Sequence, residues 1–134
     1  MKNRPVFEFY NVQSVEINGF EITGGRSGIQ ILGWSGNRTA KIGNNRIHHN
    51  GYWTVHSNYD SISYGGGIGV EAKHIEITHN SISHNIGFDF GGGVRIAGSG
   101  VGAYASVKNN SVKNNLNVGG GSHGAGIIMS CNGL

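Results

Sequence analysis

One repeat limits what this chain can fold into. Four stretches align without gaps over eleven residues: VEINGFEITGG at 15–25, AKIGNNRIHHN at 40–50, IEITHNSISHN at 75–85 and ASVKNNSVKNN at 105–115. Their shared pattern is apolar-x-apolar-x-x-Asn-x-apolar-x-x-Asn, from which the first copy departs at Gly19-Phe20. Such internal self-similarity marks a chain built of stacked units. After a variable gap each copy is followed by a strand led by glycine: GIQI at 28–31, GIGV at 67–70, GVRI at 93–96 and GIIM at 126–129. PVFEF at 5–9 has the look of a similar strand from a preceding turn.

The pattern has a physical reading. Apolar residues two apart point to one face of a strand. The Asn that follows, at 45, 80 and 110, marks a bend, because Asn tolerates left-handed backbone angles and hydrogen-bonds locally. The next apolar residue, at 22, 47, 82 or 112, begins another inward strand, and Asn50, Asn85 and Asn115 mark the next corner. If each copy is one turn, like residues stack at the strand spacing of roughly 4.8 Å. Asparagines stacked at that spacing bond along the axis as a ladder. Equivalent strands are 22, 39, 26 and 33 residues apart from Phe9 to Met129. A solenoid accepts such unevenness because insertions bulge from its corners. An antiparallel sandwich, the competing all-β arrangement, gives the Asn register no role.

Composition agrees with short strands and turns. Glycine is 25 of 134 residues and proline one, while leucine occurs only at 32, 116 and 134. Ile and Val dominate instead, which suits a pleated surface better than a helix. The formal net charge of +3 permits weak attraction to polyanions. Lys and Arg are scattered, so nucleic acid is not an expected partner. The single Cys131 excludes an intrachain disulfide. There is no apolar run of the length that crosses a membrane, and the first residues, MKNRPVFEF, lack the apolar region of a signal peptide.

The repeat resembles those of the right-handed parallel β-helix proteins: pectate lyases, polygalacturonases, alginate-active enzymes and phage tailspikes, and the generic PbH1-type repeats most of all. The resemblance covers nearly the whole chain. It implies a single-stranded right-handed solenoid of four to five turns, and the length fits a single domain over 1–134. It also implies an extracellular or cell-surface setting. In that family a two-residue corner joins the second strand to the third and carries the ladder. Asn44-Asn45, His79-Asn80 and Asn109-Asn110 match that corner, and Ile29–Ile31 and its mates match the first strand. Substrate in such relatives lies along the outer face of the first strands.

Here the outward positions of those strands are Gln30, Gly69, Arg95 and Ile128, with Glu71 one pleat further on. The insertion at 51–66, dense in aromatics and histidine, precedes the second Gly-led strand, and loops on a rigid frame commonly carry function. Trp53, His56, Tyr59 and Tyr64 within it are candidate sugar-binding residues, as is Gln30. β-Elimination on a uronic acid needs its carboxylate neutralised and a base within reach of the adjacent proton. Arg95 suits the first task. Lys73, His56 or His84 suits the second, and Lys73 and His84 are carried forward with Arg95 as the catalytic candidates. Glu71 with Asp60 or Asp89 offers oxygen ligands to a hard cation such as Ca²⁺. Clustered aspartates of the polygalacturonase type are absent, and no Cys/His spacing of zinc-site type occurs.

Neither end carries a segment that reads as a cap, so the chain is expected to be a segment of a longer solenoid, with self-association through open ends as the alternative. Two functional readings remain in play. One is a module that binds or cleaves acidic polysaccharide; the other is a non-catalytic structural or adhesive solenoid segment.

Overall fold

The computed structural model describes residues 4–33, 36–51, 65–88, 90–118 and 124–132, the last two as backbone only. Fifteen strands run through the described residues. In chain order they are β1 Phe7–Tyr10, β2 Ser14–Asn18, β3 Glu21–Thr23, β4 Ile29–Leu32, β5 Thr39–Gly43, β6 Arg46–His48, β7 Ile68–Ala72 and β8 His74–Thr78. There follow β9 Ser81–Ser83, β10 Ile86–Gly87, β11 Val94–Ser99, β12 Tyr104–Lys108, β13 Ser111–Lys113, β14 Leu116–Asn117 and β15 Ile127–Asn132. They form three tall sheets, ordered β1-β4-β7-β11-β15, β2-β5-β8-β12 and β3-β6-β9-β13, with β10 and β14 paired beside them. Every pairing is parallel. The chain visits the three sheets in rotation, which gives a parallel β-solenoid.

Register is set by the repeat. Ile17, Ile42, Ile77 and Val107 lie on one inward column of the second sheet, and Ile22, Ile47, Ile82 and Val112 on one of the third. The first sheet contributes Phe7, Ile29, Ile68, Val94 and Ile127, then Phe9, Ile31, Val70, Ile96 and Met129. A one-residue slip would turn every one of these outward, so the buried face holds the register firmly. Glycine leads the first-sheet strands because coils come close there. A Cβ on Gly67 would sit 2.5 Å from the Gly93 carbonyl oxygen, and one on Gly28 2.5 Å from that of Gly67.

Both Asn ladders form. Asn80 Oδ1 accepts from the main-chain N–H of Asn45 at 3.0 Å and from Asn45 Nδ2 at 3.1 Å, and Asn110 Oδ1 does the same for Asn80 at 2.9 and 3.0 Å. The second ladder runs from Asn50 to Asn85 to Asn115 with four bonds of 3.0–3.1 Å. Each Nδ2 also reaches back to a carbonyl of the preceding coil, as Asn85 does to Ile47 at 3.0 Å. The left-handed backbone expected at the ladder residues falls one position earlier. Asn44, His79 and Asn109 have φ of 54–57°, and His49, His84 and Asn114 of 51–54°. That residue makes the turn with its side chain outside, which leaves the next Asn extended and free to point inward. At the first copy Gly19 and Gly24 take the turning positions. Phe20 and Gly25 then offer only main-chain N–H, to Asn45 Oδ1 and Asn50 Oδ1 respectively. So the first ladder begins at the second copy, as the Gly19-Phe20 departure predicts.

The two ends differ, although the sequence shows a cap at neither. At the first coil Val15, Ile17 and Ile22 are buried. Phe7 and Phe9 pack against the core there, with Phe20 edge-on to Phe7 at 5.3 Å between ring centroids. At the last coil the same inward columns open to solvent: Ile127 is 41% and Met129 51% exposed, against 0% and 1% for Val94 and Ile96 directly above them.

Candidate functional site

The outer face of the first sheet places the predicted residues in register but leaves little of them accessible. Gln30, Gly69 and Arg95 stand on one outward column, and Glu71 on the next. Gln30 is 2% exposed, with no hydrogen-bond partner for Nε2 among the described residues. Arg95 donates through a guanidinium nitrogen to Glu71 Oε1 at 3.1 Å and lies over the Phe90 ring, both members of the pair being about one-seventh exposed. The Arg95 charge is thus already answered by a carboxylate of its own chain.

Arg95, Lys73 and His84 have different partners. Lys73 follows β7 at the corner into β8, where its Nζ donates to Asn37 Oδ1 at 2.8 Å. His84 follows β9 at a different corner and stacks on His49, the rings 5.2 Å apart and 4° from parallel. Lys73 thus borders the outer face that holds Arg95 and Glu71, while His84 lies at the corner after β9. Trp53, His56, Tyr59, Asp60, Tyr64 and Asp89 lie outside the described residues. Among the described residues no three of His, Cys, Asp and Glu gather closely enough for a metal ion, and Glu71 Oε1 is engaged by Arg95.

Two surfaces went unremarked in the sequence. The first is a polar cleft with room for about 160 Å³ on the second sheet, lined by Glu16, Asn18, Lys41, Asn44, Glu76 and Thr78. It opens because Gly43 stands between Asn18 and Thr78 in register and fills no space. The second is the outer face of the third sheet with its following corner. Arg46 and Glu21 are neighbours there at 3.2 Å, as are His48 and Glu21 at 2.9 Å. A carboxylate only accepts, so His48 Nε2 carries a proton. His48 Nδ1 lies 2.8 Å from His49 Nδ1, which requires one of those two nitrogens to be protonated. The His48 hydrogen bond, then the Arg46 charge, holds the Glu21 carboxyl below the usual carboxylate range. His49, His84 and Lys113 extend the same surface toward the last coil, all exposed, with Ser81, Ser83 and Ser111 between them. Among the described residues, five that carry or can gain positive charge thus share this face with one carboxylate, Glu21. The outward positions were legible from the repeat, since Arg46, His48, His49, His84 and Lys113 all fall in its last six residues.

Compared with known proteins, the chain matches no family model, no curated protein and no solved structure.

Proposed function

We propose that this chain is a right-handed β-helix module of the pectate lyase-like, PbH1-repeat type that binds acidic polysaccharide without cleaving it. The observation that carries the reading is the accessible cationic face of the third sheet. Arg46 is 69% exposed, and His49, His84 and Lys113 are exposed beside it at coil spacing. An extended polyanion laid along the solenoid axis meets a positive or chargeable group on successive coils, with serine hydroxyls to bond its own. Arg95 is a poorer anchor, being covered and paired with Glu71. Cleavage is left out of the reading because the Arg95 guanidinium is already paired with Glu71 and His84 is stacked on His49.

The test is binding of polygalacturonate, alginate and chondroitin sulfate in low salt, with absorbance followed in the unsaturated-uronate band. Binding that weakens with added salt and leaves absorbance flat is expected. The Arg46→Ala/Lys113→Ala variant should lose most of it. Failure to bind any of the three polymers, or equal binding by the variant, overturns the proposal; rising absorbance reinstates the lyase. A structural or adhesive segment is the second reading. The two continuous ladders favour it, because they commit the polar interior to the stack itself.

A further inference from the structure

We infer that the polar cleft on the outer face of the second sheet is a binding subsite for one sugar ring without a carboxylate, a hexose or hexosamine unit. It belongs to a different sheet from the cationic face, and its charge selects in the opposite sense.

The cleft exists because one side chain is missing from an outward column. Asn18, Gly43 and Thr78 are partners on successive coils. Asn18 and Thr78 therefore stand as walls two strand spacings apart, roughly 9–10 Å, with glycine as the floor between them. Neither backbone nor packing demands glycine here. Gly43 is not among the residues of positive φ, and a Cβ on it would meet only the carbonyl oxygen and Oγ1 of Thr78 at 3.6 Å, an ordinary contact. Gly28 and Gly67, by contrast, have carbonyl oxygens at 2.5 Å. What glycine at 43 provides is the space itself, about 160 Å³, which suits a single sugar ring.

The lining is polar and largely unanswered. Glu16, Lys41 and Glu76 are partners on the same three coils, yet no ion pair or hydrogen bond engages them among the described residues. Exposed opposite charges gain little from pairing in water, so all three stay available to a ligand. Asn18 Oδ1 accepts from Asn44 Nδ2 at 3.0 Å, which leaves Asn18 Nδ2 as a donor and Asn44 Oδ1 as an acceptor. The Thr78 hydroxyl, without a partner among the described residues, can do both.

A ligand that answers this set carries several groups able to donate and accept around a compact frame. That is the chemistry of a sugar ring. Its hydroxyls donate to the carboxylates, and its oxygens accept from Lys41 and Asn18. Two carboxylates against one ammonium leave the cleft with one net negative charge. A uronate is therefore repelled, whereas the amine of a hexosamine gains a charge-assisted bond.

The experiment titrates the ¹⁵N-labelled full-length protein with methyl glucoside, glucosamine and glucuronate, following main-chain amide shifts by NMR. Saturable shifts at Asn18, Gly43, Asn44 and Thr78 are expected for the first two, with Kd in the millimolar range that so small a ligand reaches. Glucosamine should bind tightest, and glucuronate several-fold more weakly than methyl glucoside. Gly43→Ala sets a methyl on the floor of the cleft and should weaken both sugars about tenfold. Glu76→Gln, at a half-buried side chain with no partner to lose, should narrow the gap between glucuronate and methyl glucoside, which a merely structural role would not do. Absence of saturable shifts, glucuronate bound as well as methyl glucoside, or Gly43→Ala binding like the parent overturns the subsite. Arg46→Ala/Lys113→Ala should bind these sugars unchanged, so failure of the polyanion face and failure of the cleft are read apart; sugar binding lost in that variant counts against the second sheet as its place.

Discussion

Replacing Asn85 by Ala tests whether the ladder holds the coils together. Its side chain is wholly buried and makes four inter-coil bonds of 3.0–3.1 Å. Oδ1 accepts from the N–H and Nδ2 of Asn50, while Nδ2 donates to the Ile47 carbonyl and Asn115 Oδ1. Removal leaves Asn50 Nδ2 two other carbonyls, of Ile22 and His48, and leaves Asn115 Oδ1 the N–H of residue 85. The Asn50 N–H, in a residue 1% exposed, keeps nothing. A stranded buried group costs about 1–3 kcal/mol and each further lost bond about 0.5–1.5 kcal/mol. Allowing for relaxation, Asn85→Ala should cost about 3–5 kcal/mol. Asn115→Ala removes the same kind of bonds at the open end, where water can replace them, and should cost about 1–2 kcal/mol. Urea unfolding followed by circular dichroism separates the two, Asn85→Ala lowering the midpoint by about 2 M.

The near-isosteric Asn85→Asp sharpens the test. Its second oxygen would face the Ile47 carbonyl and Asn115 Oδ1, both acceptors. Burial and those acceptors raise the folded-state pKa of the new carboxyl above its unfolded value of about 3.9. The ionisation penalty is therefore absent below the unfolded value and grows as pH rises toward the folded one. Equal losses for Asn85→Ala and Asn115→Ala, or an Asn85→Asp variant whose stability ignores pH over that range, would refute the ladder as a source of cohesion.

Three further outcomes are expected. Gly67→Ala pushes a methyl to within 2.5 Å of the Gly93 carbonyl oxygen and should cost about 1–3 kcal/mol, whereas Gly126→Ala meets nothing within 4 Å and should be nearly neutral by the same urea titration. A double-mutant cycle on Arg95 and Glu71 should return a coupling of about 1–3 kcal/mol, because each single removal uncovers a largely buried charge; a value near zero would mean the pair is ornamental. Carbon-detected NMR titration should place the Glu21 carboxyl below the ordinary carboxylate range, and His48→Ala should move it back up. Since that folded-state value is depressed, whatever Glu21 contributes is present above its unfolded pKa and is lost as acid titrates it.

The fold was legible because the chain writes its register out. Residues 75–85 state a whole coil: Ile75, Ile77 and Ile82 go in, and Asn80 and Asn85 form rungs. The turning residue was misplaced by one because sequence shows which residues suit a bend but not how a bend divides its work. Asn45 and Asn44 are the same residue type, and only the backbone separates ladder from corner. The Phe7, Phe9 and Phe20 cover at the first coil was equally invisible, since it joins residues thirteen apart through one edge-on ring contact between Phe7 and Phe20. For the site, register alone places Arg95 and Glu71 on neighbouring strands within reach of an ion pair, and the structure shows that pair. The face holding Arg46, His48, His49, His84 and Lys113 was within reach of the repeat, because outward positions follow from the same alignment as inward ones.

The ladder amides have an electrical consequence. In Asn80, Asn85, Asn110 and Asn115 the side-chain oxygen faces the coil before it, and Asn45 and Asn50 point theirs the same way, at Phe20 and Gly25. Their bond dipoles add along the axis rather than cancel, as do those of a helix, and hydrogen-bonded chains polarise one another further. The rod is a permanent axial dipole with its positive pole at the last coil, so rods lying side by side attract most when they run in opposite directions.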